Sequence, residues 1–97
     1  MTITWQSENE NTVVLNGKLS QSTVPSLFPI KKKMQQYNDQ LTVDLAQLSH
    51  VDSAGLAYLI ELQQYCQSKK IKLQYKGATT ALSKLIALYN AEPLLQN

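Results

Sequence analysis

Four residues near the middle of the chain have types and spacing that could carry chemistry: His50, Asp52, Ser53 and Gly55. A carboxylate beside a hydroxyl, with an imidazole close upstream, raises nucleophilic hydrolysis as the first reaction to test. The pattern does not support it. Ser53 is not in a Gly-x-Ser-x-Gly elbow, and His50 is the only histidine, so that one ring would have to swing onto the hydroxyl from three residues upstream. Phosphate-loop and dinucleotide glycine patterns are absent, and the three glycines and one cysteine are too scattered for a metal site. No catalytic residue, cofactor or metal ligand is expected.

Two other uses of the corner stay open. With Asp52 near a helix cap and Ser53 in the first turn, free backbone N–H groups and the positive helix end surround the hydroxyl. A phosphate on Ser53 would be tolerated there and would add about two negative charges beside Asp52, a switch on a partner. In the purely structural alternative, Asp52 and Ser53 cap the helix and Gly55 permits close packing.

The surrounding elements must position this corner. Leu41, Val43 and Leu45 alternate with Thr42, Asp44 and Ala46, the period of a strand, and Leu48 and Val51 keep the following connection apolar. From Asp52 onward the period becomes helical, with Leu56, Leu59 and Ile60 on one side. Upstream, Ile3 and Trp5 and then Val13 to Leu15 predict an antiparallel hairpin turning at Glu8-Asn9-Glu10-Asn11, with a bulge or strand exit at Asn16-Gly17. Val24, Leu27, Phe28, Ile30 and Met34 approximate a helical stripe; a start near Ser22 would make Pro29 kink the helix, whereas with Ser26 as N-cap and Pro29 in a loose first turn a regular helix is expected to reach Tyr37.

Downstream of the second helix, Ile71, Leu73 and Tyr75 alternate with Lys72, Gln74 and Lys76, a half-exposed strand whose outer lysines suit a sheet edge. Gly77 ends it. A last helix from Ala78 to Tyr89, capped by Thr79 or Thr80, would place Leu82, Leu85, Ile86 and Tyr89 on one face and stop at Asn90 and Pro93. Leu94 and Leu95 are then left to pack back or to contact something else. The predicted class is α/β: a mixed sheet of about four strands covered by about three helices, with parallel pairing of the later strands and a hairpin partner at one side.

Composition bounds the function. The 97 residues give room for one compact domain over residues 1–97. No apolar run approaches the roughly 20 residues that span a bilayer, and the polar start lacks the blocks of a signal peptide, so a cytoplasmic protein is expected. A formal charge of +2 is too small to imply nucleic-acid binding. The run Lys31-Lys32-Lys33 reads as a solvated helix face, or as a weak attraction to an anionic membrane surface. Cys66, the only cysteine, allows no internal disulfide.

The second helix is the informative surface. Leu56, Leu59, Ile60 and Cys66 point to the core with Gln63 at its border; Ser53, Ala57, Glu61 and Gln64 lie opposite or beside them. Ala54, Tyr58, Leu62 and Tyr65 add a further row, more apolar surface than one sheet can cover. Either part of it meets a partner, or the two tyrosines pack on neighbouring helices with their hydroxyls in water.

Val43-Asp44-Leu45 followed by Val51-Asp52-Ser53-Ala54-Gly55-Leu56 resembles the core signature of STAS domains, and the element order agrees over essentially the whole chain. In the anti-sigma-factor antagonists of that family the residue in the place of Ser53 is the regulatory phosphorylation site. Leu15-Asn16-Gly17-Lys18-Leu19, Leu27-Phe28, Gly55-Leu56-Ala57 and Leu85-Ile86-Ala87-Leu88-Tyr89-Asn90 are more similar to one branch, the small STAS subunits of Mla-type phospholipid-transport ABC complexes of Gram-negative bacteria. That resemblance implies a cytoplasmic, non-catalytic subunit that binds the transporter ATPase and, through it, an inner-membrane permease complex, without inserting in the membrane. It implies a role in outer-membrane lipid asymmetry. The expected contact residues are Ser53, Ala54, Ala57, Tyr58 and Glu61. The branch usually carries threonine at the Ser53 position, so serine followed by Ala54 is a departure.

Overall fold

The computed structural model describes residues 2–91 and Pro93; the expected placement of Leu94 and Leu95 lies outside them. In chain order the elements are β1 (Ile3–Asn9), β2 (Thr12–Leu19), a 3-10 turn (Val24–Leu27), α1 (Ile30–Lys33), β3 (Gln40–Asp44), β4 (Leu48–Val51), α2 (Ser53–Ser68), β5 (Lys72–Lys76) and α3 (Thr80–Leu88). β1 and β2 form the expected antiparallel hairpin, and β2–β3, β2–β4 and β3–β5 pair in parallel.

Strand period decides the layers. Ile3, Val13, Leu15, Leu41, Val43, Leu73 and Tyr75 are buried on one face, under the helices. Their neighbours Thr4, Gln6, Asn16, Lys72, Gln74 and Lys76 are exposed on the other. α2 lies on the apolar face, where the Tyr75 hydroxyl donates to the Leu59 carbonyl over 2.7 Å.

The sheet has one strand more than the four expected. Leu48 to Val51, read as a connection, is β4, because, of the two outcomes expected at Asn16-Gly17, β2 takes the bulge and not the exit. It shifts register between Gly17 and Lys18 and continues to Leu19, offering a second set of partners beyond those of β3. Gly17 sits at φ +115°, and a Cβ there would stand 2.3 Å from the Thr2 carbonyl oxygen. β3 and β4 thus follow one another along the same side of β2. Exposed Ser49 and His50 hide this strand from any alternation rule.

The first helical segment is also more broken than expected. Ser26 does not cap α1; its hydroxyl donates to the Thr23 carbonyl. Pro29, in extended backbone, separates the 3-10 turn from α1, which ends after four residues instead of reaching Tyr37. Leu27, Ile30, Met34 and Tyr37 are nevertheless buried, so the stripe survives without a continuous helix.

Both long helices close with the same hydrogen-bond pattern. Ile71 N–H donates to Cys66 carbonyl and Lys70 N–H to Gln67 carbonyl after α2; Ala91 and Asn90 do the same to Ile86 and Ala87 after α3. The pivots are left-handed, Lys70 at φ 59° and Asn90 at φ 56°. Thr79 caps α3 as expected, accepting from Leu82 N–H. Tyr89 does not join the core face: α3 has ended, and the ring is 54% exposed.

Gly55 sets how closely α2 approaches the sheet, since a Cβ there would lie 2.3 Å from the Leu19 carbonyl oxygen. Gly55→Ala should cost about 1–3 kcal/mol, read as a lower urea midpoint at unchanged slope. Lys70→Gly should add about 0.5–1 kcal/mol in the same experiment, because a lysine in the left-handed region is strained where glycine is not.

Candidate functional site

The site is built where β4 hands over to α2. Asp52 is the N-cap in extended backbone; its own N–H donates to the Leu19 carbonyl over 3.2 Å. One carboxylate oxygen accepts from Gly55 N–H at 2.9 Å and the other from Gln21 N–H at 3.0 Å. A single side chain therefore caps α2 and ties the loop after β2 to it. Partial burial opposes ionisation of Asp52, but the N–H groups of Gly55, Gln21 and Ala54 and the nearby His50 outweigh it and hold the carboxyl below its ordinary value.

The loop that carries Gln21 is anchored by Thr23, which is not among the residues expected at the site. Thr23 is buried; its hydroxyl donates to the Lys18 carbonyl at 2.6 Å and accepts from Ser20 N–H at 2.9 Å. The signal available was a Ser-x-x-Thr spacing immediately after a strand, which favours such local hydroxyl-to-backbone bonds.

The expected contact residues separate into two groups. Ser53, Ala57 and Glu61 are exposed along one line of α2, continued by Gln64, and Ala54 is half-buried beside them. Tyr58 is not on this surface: it is 1% exposed, its hydroxyl donates to the Leu27 carbonyl over 3.3 Å, and burial pushes its pKa well up. Leu62 is buried as well, and Tyr65 is half-buried with the Lys69 ammonium 6.0 Å from its ring centre. The row expected to exceed the core is thus largely absorbed by it, because the 3-10 turn and α1 fold over that flank of α2. Of the expected core row, Leu56, Leu59 and Cys66 are buried, while Ile60 is only half-buried. Burial raises the Cys66 thiol to about 11, which keeps it protonated at neutral pH.

The aromatic that does reach the surface is Phe28. It is 41% exposed and stands edge-on to the Tyr58 ring, 5.2 Å between centres. Nothing in the helical stripe distinguished it from Leu27; the break at Pro29 turns it outward. His50 is exposed on β4, paired with Lys18 of β2.

These features define a small α/β domain with a capped, exposed helix start at the end of its sheet. The family profile described as "Mlab, STAS domain" matches residues 4–96, and the chain belongs to the STAS domain family. The backbone is similar to that of the anti-sigma factor antagonist SpoIIAA in its unphosphorylated form, with a TM-score of 0.74 at 15% identity over 96% of this chain and 84% of that one. It is also similar to a sulfate transporter family protein from Wolinella succinogenes, with a TM-score of 0.73 at 16% identity over 89% and 71% of the two chains. At these identities the likeness is one of fold. A comparison with curated proteins found no match.

Asp52→Ala should destabilise the protein by about 1–2 kcal/mol through loss of the cap. Because the folded carboxyl lies below its unfolded value, its contribution is complete above about pH 4 and is lost as pH falls toward the lowered native value. The acid limb of a pH–stability curve should therefore flatten in Asp52→Asn. Tyr58→Phe should cost about 1 kcal/mol, for the hydrogen bond to Leu27.

Proposed function

We propose that this chain is a non-catalytic, cytoplasmic STAS subunit that binds and supports the ATPase of an ABC phospholipid transporter contributing to outer-membrane lipid asymmetry. The observation that carries the reading is the match to the Mlab-type family over residues 4–96, together with a rigid, exposed line of small and polar residues, Ser53, Ala57 and Glu61, at the start of α2. Small side chains on a helix allow another helix to approach closely, and Asp52 and Gly55 hold this one fixed against the sheet. An interface of ordinary size would bury roughly 800 Å² on each partner. The protein would stay at the inner membrane only through its complex with the ATPase and permease.

In this reading Phe28, exposed and edge-on to the buried Tyr58, takes the place expected of Tyr58. Co-purification with the transporter ATPase should be lost in Ser53→Arg and in Ala57→Trp, with melting temperature retained; binding that persists in both would remove this surface.

A second reading, an anti-sigma-factor antagonist, is favoured by one observation: Ser53 is exposed at the first position of α2 in a backbone similar to SpoIIAA. Phosphorylation would place its charge beside ionised Asp52 and repel an acidic partner surface. Incubation with the serine kinase of a neighbouring sigma-factor operon separates the two readings, since the transporter subunit should take up no label on Ser53.

A further inference from the structure

β1 and β5 are the two outer strands of the main sheet path, and they are treated differently. An outer strand presents unpaired N–H and C=O groups that can template another chain, and lysine or proline is the usual guard. β5 is guarded by exposed Lys72 and Lys76. β1 carries neither residue type over its seven positions; its one charge is Glu8, and its bulge lies near the turn, between Ser7 and Asn9. The Lys18 N–H bond to the Thr2 carbonyl fixes the phase of the hairpin. Thr4 and Gln6 therefore face β2 with their backbone groups, while those of Ile3, Trp5 and Ser7 point outward.

Beside this edge the 3-10 turn and α1 leave a hollow of about 680 Å³, lined by Trp5, Phe28 and Pro29 as its apolar part and by Lys32 and Lys33. Among the described residues, no acidic one lines it. Its wall is fixed by the Gln36 amide donating to the Tyr37 hydroxyl at 2.8 Å, by that hydroxyl donating to Ser7 at 3.2 Å, and by the Trp5 and Tyr37 rings 6.4 Å apart. A strand added to β1 would send every second side chain to the Trp5 and Ser7 side, into this hollow.

We infer that the free edge of β1 and the adjoining hollow take up an extended segment of the partner protein, one with an acidic side chain two residues from an apolar one. The inference rests on the partner-binding reading above and extends its surface from α2, across Phe28, to β1. Charge decides the occupant. A second copy pairing through its own β1 would bring Ile3, Trp5 and Ser7 to this face, none of them acidic, and would leave both lysines uncompensated.

The test uses the full chain with the purified transporter ATPase. A photo-cross-linking residue at Gln35, on the rim of the hollow, should capture an extended acidic segment of the ATPase, while one at Ala57 reports the α2 surface independently. Lys32→Glu with Lys33→Glu should weaken binding at least tenfold at low salt, whereas Lys84→Glu on α3 should stay within twofold; Lys32→Gln with Lys33→Gln, judged by unchanged melting temperature, guards against misfolding. Capture from Ala57 but not from Gln35, or binding within twofold in both double variants, overturns the inference and leaves the function proposal standing. Capture from neither position overturns both. Capture of a second copy of this chain from Gln35 overturns the inference in favour of a dimer edge.

Discussion

The structure depends on one close approach: the first turn of α2 against the end of β2. Gly55 leaves no atom where a Cβ would meet the Leu19 carbonyl, Asp52 donates its N–H to that same carbonyl, and the Asp52 carboxylate bridges Gly55 and Gln21. These contacts determine the height of α2 above the sheet. At that height Leu56, Leu59 and Leu62 are buried. A buried close contact of backbone to backbone admits no partial version: a single methyl group would have to displace the helix or the strand.

The rigidity bears on the proposed docking role. A docking surface made of small side chains would gain little from any one of them, so its precision would come from the support beneath. Ser53, Ala57 and Glu61 have that support in the cap, in the Thr23-anchored loop and in Tyr58, which is braced between Leu27 and Phe28. The residue expected to touch a partner supports the aromatic that can. The same corner also explains why Asp52 stays ionised: its carboxylate is occupied by backbone donors, and the nearby His50 adds to their effect.

Much of the architecture was legible because local chemistry and tertiary need agree. Alternation identified β1, β3 and β5, the Asp52 and Thr79 caps were readable, and Asn90 marked the end of α3 through its tolerance of left-handed backbone. The failures have particular causes. β4 is held by pairing with residues of β2 beyond its bulge, and a strand of four residues with Ser49 and His50 exposed has no period of its own. The first helical segment has the stripe of a helix but is divided by Pro29, so burial at Leu27, Ile30, Met34 and Tyr37 comes from a bent path.

By itself the sequence determined the class of fold and the position of the strand-to-helix corner, because caps, turn residues and periodicity act over a few residues. Only the tertiary structure decided which side of α2 is a surface. Helical spacing places Ala57 and Tyr58 one step apart and both outside the narrowest core stripe; it is the 3-10 turn and α1, folded over one flank, that bury Tyr58 and leave Ala57 in water. The same packing turned Phe28 outward, next to a hollow and an unguarded strand edge that no periodicity in the sequence announces.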